Sequence, residues 1–493
     1  MSRKTNMGIE WGLGLCAALL VGSWATDASA SGFSAARFGG EHGHPTTDNA
    51  TAIYYNPAGI ALSKGTHVFV DATTVLRWAS YERPASAIND PMGAEAAPGA
   101  NDGKATLFNG IAAPFAGVTS DFGTDFIYGG LAVYFPFGGS AVWDQNPAYS
   151  GSETYPGAVD GTQRWYSIDG TIRSMYVTGA LGFNIRKIGL SLGVSGSAIR
   201  SEVVTIRARN TDGTDDLVDP NGNLKEGRSY IDVNGWQGGF AVGAVYNVLA
   251  RDKPEDKHKV WIGASYTSQP NVVGGMTLTG DLNNTLALAD PAVTPVELTQ
   301  TLPDIVRLGV RYRPIDKVEL RLFGDYTRWS VFDKQCVLDS SVDGRSCEFD
   351  NEDTALDDPE NFGGAGDGVV GVTQHLPRYW KDGGGVRIGG SYWVLPQLEI
   401  YLGTGFDSTA VPVQTLDAAL MDMNKVSASA GTRWQIIKHL AVSLTSTSLF
   451  FFEVDTAGDN ALNEFQSPTR QPSAEGVYNQ FFQLFNVYVD VSF

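Results

Sequence analysis

The C-terminal segment Gln483 to Phe493 restricts this chain more than any other stretch. It reads Q-L-F-N-V-Y-V-D-V-S-F, with Phe485, Val487, Val489, Val491 and Phe493 on one parity and Asn486, Tyr488, Asp490 and Ser492 on the other. Successive strand side chains point to opposite faces, so this is a ribbon with one apolar and one polar side. On a water-soluble protein such a strand would be an adhesive edge. Closed into a barrel in a bilayer, its apolar side meets lipid and its edge pairs with the first strand.

The N-terminal end agrees. Arg3 and Lys4 are followed by an apolar stretch, Trp11 to Ala25, and by Ala28-Ser29-Ala30, an A-x-A cleavage pattern. Residues 1–30 are therefore predicted to be a signal peptide, with a mature start at Ser31 and export from a Gram-negative cell. Cys16 follows Leu15 inside the apolar run, which excludes a lipoprotein signal there.

The formal net charge of −19 disfavours nucleic acid and anionic lipid surfaces as partners. After Ala30 no apolar run is long enough for a helical span. A Gly-rich chain (58 residues) with 11% aromatics and strong alternation fits a transmembrane barrel, in which only every second residue faces lipid. A large secreted sandwich or propeller is the competing fold.

The alternation recurs in Ile127-Gly129-Leu131-Val133-Phe135, in Met175-Val177-Gly179-Leu181-Phe183, and in Val306-Leu308-Val310-Tyr312 opposite Arg307, Arg311 and Arg313. It recurs again in Leu320-Leu322 opposite Glu319 and Arg321, and in Ile400-Leu402 opposite Glu399 and Tyr401. Short turns at 313–317, 395–397 and 437–439 contrast with long polar stretches at 85–104, 144–162, 210–228, 282–302 and 332–381, which are expected to be loops. Short turns on one rim and long loops on the other is the outer-membrane asymmetry. Charges at inward parity would cost about 2–4 kcal/mol each against lipid near the midplane, so they must line the lumen.

Ser31 to Thr66 is different. It lacks alternation and contains the turn-forming set Asn56-Pro57-Ala58-Gly59. Ser31-Gly32-Phe33, then Asp48-Asn49-Ala50, then Tyr55 to Gly59, resembles the N-terminal hatch of the FadL/TodX (OMPP1) family of outer-membrane transporters for long-chain fatty acids and aromatic hydrocarbons. Further blocks follow in the family's order: Gly235-Trp236 through Tyr266-Thr267-Ser268; Leu302-Pro303-Asp304 with Asp325 to Phe332; and Trp380-Lys381-Asp382, Arg387, Gly389 to Tyr392 with Phe406 to Pro412.

This resemblance implies an all-β transmembrane antiparallel barrel of about fourteen strands spanning 67–493, plugged by a hatch at 31–66. No enzyme activity and no cofactor are expected. The resemblance implies uptake of hydrophobic small molecules into an apolar lumen pocket and sideways release through a gap at a kinked third strand. Physically this suits a fatty acid, which gains about 0.8 kcal/mol per buried CH2. The third strand is read as Ile127 to Phe137, ending in Pro136, Gly138 and Gly139, because Pro lacks a ladder donor and Gly permits a bend. An ordinary strand end remains the other reading of Pro136 to Gly139. The resemblance puts Gly138 opposite the Asn56-Pro57-Ala58 turn, Phe33 against the inner pocket, and Arg378 near a bound carboxylate. Plug packing is the other reading of Phe33. Arg307, Arg321, Arg387 and Arg433, with Glu319, Asp325 and Glu399 at inward parity, read as an ion-pair network inside the barrel.

Cys336 and Cys347, in one extracellular loop, are expected to form a disulfide. His42 and His44 lack an evident third ligand, so no metal site is assigned. The acidic stretches 212–219 and 350–367 read as solvated loops rather than calcium sites. No nucleotide loop, nucleophile elbow or Ser-His constellation is present in the sequence. Expected partners beyond the cargo are outer-membrane lipid, lipopolysaccharide and the barrel-assembly machinery, with a monomer as the working state. A general porin, or a receptor or structural barrel, is the alternative function.

Overall fold

The computed structural model describes residues 37–89, 97–248, 259–272, 275–286, 290–349, 352–362 and 369–493. The expected signal peptide and Phe33 lie outside this set. The strands that organise the chain are β1 (Thr66–Arg83), β2 (Gly103–Ser120), β3 (Ile127–Val142), β4 (Asp169–Ile185), β5 (Leu190–Arg209) and β6 (Gly227–Asn247). They continue as β7 (Lys259–Thr267), β8 (Met276–Thr285), β9 (Ala292–Gln300), β10 (Ile305–Ile315), β11 (Val318–Thr327), β12 (Lys334–Asp339) and β13 (Val372–Pro377). The last five are β14 (Gly383–Leu395), β15 (Leu398–Asp407), β16 (Lys425–Ile437), β17 (Leu440–Phe451) and β18 (Val477–Ser492).

Fourteen of these strands close a barrel by antiparallel pairing: β1 to β7 in turn, then β10, β11 and β14 to β18. The C-terminal strand shuts the circle, from His67 opposite Ser492 to Glu82 opposite Val477. Closure removes both sheet edges, which is what allows so many backbone amides to lie in hydrocarbon. The parity read from sequence is the parity observed. Leu308, Ile388 and Leu402 are 58–67% exposed on the outer wall, whereas Arg321 and Glu399 are buried inside. Trp78, Phe108, Phe450 and Phe481 stand side by side on the outer face, with ring centroids 5.0–5.7 Å apart, as part of an aromatic girdle.

Two stretches read as loops are partly sheet. The first, 282–302, contains the end of β8 and all of β9; the second, 332–381, contains β12 and β13. The reason lies in β6. Its Ala241–Asn247 half pairs with β7, but its Arg228–Asn234 half pairs with β8. Gly235, Gly238 and Gly239 lie where the strand changes partner. The diverted ladder runs β8–β9–β12–β13 and buries Leu278, Leu298 and Val337, forming a roof on the lumen. The alternation there is short: Met276, Leu278 and Leu282 alternate with Thr277, Thr279 and Asp281, and Val296 and Leu298 with Glu297 and Thr299, while Asn283-Asn284 and Pro295 interrupt it.

Candidate functional site

The N-terminal segment from Arg37 to Gly65 lies inside the barrel. Its helical turn α1 (Ala52–Tyr55) and the 3-10 turn Pro57–Leu62 are almost wholly buried. Two kinds of contact hold it. Towards β2 and β3 they are apolar: the Phe38 ring sits 5.4 Å from Phe115 and 5.6 Å from Tyr134. Towards β10 to β18 they are polar. Arg37 pairs with Asp407 at 3.1 Å, His42 with Glu399 at 3.0 Å, and Arg311 with Asp48 at 2.9 Å. Tyr488 adds a hydroxyl bond to His42 Nδ1 at 2.8 Å. The inward charges are indeed largely paired: Arg387 meets Asp325 and Asp407, and Arg321 meets Glu319. Several pairs tie this segment to the wall rather than wall to wall.

The Asn56-Pro57-Ala58 turn is seated on β5 and β6. Asn56 Nδ2 donates to Pro45 O at 2.8 Å and to Ala244 O at 3.0 Å, and Asn56 Oδ1 accepts from the Ala58 amide at 3.1 Å. Glycine on the wall makes room: a Cβ on Gly193 would stand 2.2 Å from Ala58 N, and one on Gly243 would stand 2.0 Å from Asn56 Oδ1. This corrects the expectation that the turn faces Gly138. Gly193 pairs with Gly182, which pairs with Tyr128. Gly138 is ten residues further along β3, roughly 30 Å away along the strand. The sequence shows a turn and a bend but not which strand register brings them level.

The wall is incomplete beside Gly138. β2 and β3 pair only from Ser120 opposite Gly129 to Phe115 opposite Tyr134, although β2 runs on to Gly103 and β3 to Val142. The β3–β4 ladder slips between Tyr134 and Phe137, at Pro136, and resumes with Phe137 opposite Ser174 and Gly138 opposite Arg173. β2 carries its own proline, Pro114, one residue beyond the last rung at Phe115, and a proline offers no ladder N–H. Contact returns above, where Val142 N donates to Asn109 Oδ1 at 3.3 Å and Asp144 N to Thr106 O at 2.9 Å. The unpaired stretches carry small residues: Gly110, Ala112 and Ala113 on β2, and Gly138, Gly139, Ser140 and Ala141 on β3.

A cavity adjoins this interval, with about 960 Å³ of space when its opening to solvent is included. Its walls include Gly139, Ser140 and Ala141 of β3, Ile172 of β4, Val203 of β5, Ile231 of β6, and Leu298, Val337 and Leu376 of the roof. Three arginines enter this largely apolar space. Arg378 is buried and neutralised by Asp417 at 2.8 Å, with a further bond to Gln335 at 3.0 Å. The other two, which the sequence reading did not single out, hold only neutral acceptors among the described residues. Arg77 donates to Ser140 O at 3.2 Å, and Arg207 to Gln471 and Gln374 side chains at 2.8 and 3.1 Å. They are 6% and 9% exposed, and Arg77 Nε is buried without a hydrogen bond. Inward parity could have found Arg77; its charge balance could not be read from sequence. A polar space of about 780 Å³, lined by Arg37, Arg307, Asp325 and Arg387, lies elsewhere in the lumen. Trp329 lines that space and Trp380 the apolar one, with their rings 4.9 Å apart.

Cys336 and Cys347 are bonded, with Cα atoms 6.5 Å apart, tying β12 to the loop that follows it. The acidic loop at 212–216 is occupied by Lys225, which bonds Asp212 at 2.6 Å and Asp216 at 2.5 Å. Among the described residues no cluster of three His, Cys, Asp or Glu side chains could hold a metal ion.

A family model described as outer membrane protein transport protein (OMPP1/FadL/TodX) matches residues 17–476. The chain belongs to this family. The barrel is thus an outer-membrane protein of a FadL/TodX family that transports hydrophobic compounds. No curated protein sequence is matched. Solved structures share the fold at low identity. A Pseudomonas aeruginosa FadL homologue superposes with a TM-score of 0.69 at 17% identity, covering 95% of this chain and 99% of the other. The Ralstonia pickettii toluene transporter TbuX gives 0.57 at 15%, covering 94% and 98%. The Pseudomonas putida toluene transporter TodX gives 0.54 at 13%, covering 95% and 99%. FadL/TodX membership also accounts for the motif order found in the sequence.

Proposed function

We propose that this FadL/TodX protein takes long-chain acids or similar amphiphiles into the roofed apolar cavity and releases them sideways through the interval between β2 and β3. One observation carries the reading: the β2–β3 ladder stops at Phe115 and Tyr134, and the cavity borders that same stretch of β3. An alkyl chain gains about 0.8 kcal/mol per CH2 on leaving water, so it passes from an apolar cavity to the bilayer without crossing a polar pore. Arg77 and Arg207 support an acidic head group, because a buried guanidinium without a carboxylate is costly until an anion arrives. Arg378, being paired with Asp417, is a wall residue of that site.

The segment 31–66 acts as the hatch: its residues 37–65 fill the lumen below the cavity and deny passage to water-soluble solutes. The protein works as a monomer, delivered by a cleaved signal peptide at 1–30 and inserted by the barrel-assembly machinery beneath lipopolysaccharide. Gly138→Trp is the direct test. It should cut uptake of a radiolabelled C16 acid while leaving heat-modifiable barrel migration intact; undiminished uptake would sink the sideways route. Deleting residues 31–64 separates carrier from porin, since a porin would keep its solute flux and a carrier would lose selective uptake.

A further inference from the structure

We propose that Arg77 is a charge-operated latch on the wall interval, so that an acidic head group opens the route its own alkyl chain will take. This rests on the sideways route proposed above and adds to it a trigger and a selectivity. Arg77 stands on β1, yet its guanidinium reaches over β2 to the Ser140 carbonyl of β3, at 3.2 Å. Ser140 lies in the stretch where β2 and β3 form no ladder. Arg77 is therefore a tie across the interval, joining β1, which is laddered to β2 on one side, to β3 on the other. The tie is also a wall of the cavity: Arg77, Ser140 and Arg207 all line it. Arg77 still has an unbonded, buried Nε and no carboxylate among the described residues.

The physical argument is a competition between acceptors. A guanidinium bond to a carboxylate is roughly twice as strong as one to a neutral carbonyl, and a carboxylate can take two N–H groups at once. An acid in the cavity, steadied by Arg207, draws Arg77 off Ser140. β3 is then held there by its β4 ladder, which is already interrupted at Pro136, and by the contacts at the upper rim. Gly138 and Gly139 leave β3 free to swing. A neutral molecule of equal length fills the same cavity but leaves the tie in place. The latch thus makes the barrel discriminate by charge at the exit, although the cavity itself is apolar.

The test compares uptake of hexadecanoic acid and hexadecanol by proteoliposomes holding the full barrel. Wild type should favour the acid. Arg77→Met keeps the stem but removes the tie, and should collapse the acid-to-alcohol ratio by about tenfold, chiefly by raising the alcohol rate. Arg207→Met should lower acid uptake without raising that of the alcohol. If Arg77→Met lowers acid uptake and leaves the alcohol rate unchanged, Arg77 is only a head-group contact and the latch is refuted. An unaltered ratio refutes it equally. A cysteine pair at Ala112 and Gly139, cross-linked before assay, separates the two ideas. If cross-linking leaves wild-type uptake undiminished, the sideways route itself fails; if it blocks uptake while Arg77→Met behaves like wild type, only the latch fails. Heat-modifiable migration of each variant confirms an intact barrel.

Discussion

Replacing Gly193 by alanine should loosen the N-terminal segment inside the barrel without touching the wall, and the size of the effect can be worked from geometry. Gly193 has no positive φ, so alanine costs nothing in backbone strain. Its Cβ would, however, stand 2.2 Å from Ala58 N and 2.3 Å from Pro57 C. Both are main-chain atoms of a turn pinned by Asn56 to Pro45 and Ala244, so no flexible side-chain end can move aside. Overpacking of this kind costs about 1–3 kcal/mol. At about 2 kcal/mol the unseated fraction of the hatch rises roughly 30-fold, since each 1.4 kcal/mol is a factor of ten. The control is on the same strand: Gly196 faces outward and a Cβ there meets nothing within 4 Å. In planar bilayers, Gly193→Ala should show intermittent ion conductance, and Gly196→Ala should stay as quiet as wild type. Matching traces from the two variants, with both barrels heat-modifiable, would refute the seating argument.

Other outcomes follow from the same structure. His375, on β13 in the roof, is buried 4.4 Å from the Phe349 ring, and burial pushes its pKa down to about 3. Folding thus favours the neutral ring: the stability is full above pH 6.5 and falls by about 1.4 kcal/mol per unit as pH drops towards 3. Roof protection, followed by amide exchange at β12 and β13, should show that slope, and His375→Gln should flatten it. Replacing both Cys336 and Cys347 by serine should cost the loop about 2–4 kcal/mol, read as faster proteolysis between 340 and 370 with barrel melting unchanged. Leu402→Lys, on the lipid face at 67% exposure, should lower folding stability in vesicles by about 2–4 kcal/mol.

Much of this was legible in the chain because a lipid-facing strand declares itself by period two. The outward set from Val306 to Tyr312 and the closing strand Gln483 to Phe493 lie on the expected faces. The roof was not legible, because the alternating runs in β8 and β9 are short and are interrupted by Asn283-Asn284 and Pro295. The bend at Pro136 was readable as a missing donor. The role of Pro114 is not readable in β2 alone, since only the pairing of β2 with β3 shows that their ladder ends one residue before it. Arg378 stands out by its neighbours in sequence, yet Asp417 neutralises it; Arg77 and Arg207 carry the uncompensated charge.

The sequence by itself determined the solvent, the closure and the family. Alternation allots each side chain to lipid or lumen whatever its long-range partners, and the motif order survives without coordinates. Only the tertiary structure decided where the wall fails and what charge faces the cavity. Those depend on register, which brings Gly193 beneath the Asn56-Pro57-Ala58 turn and Arg77 across from Ser140. Register is a property of strand pairs, so no single strand contains it.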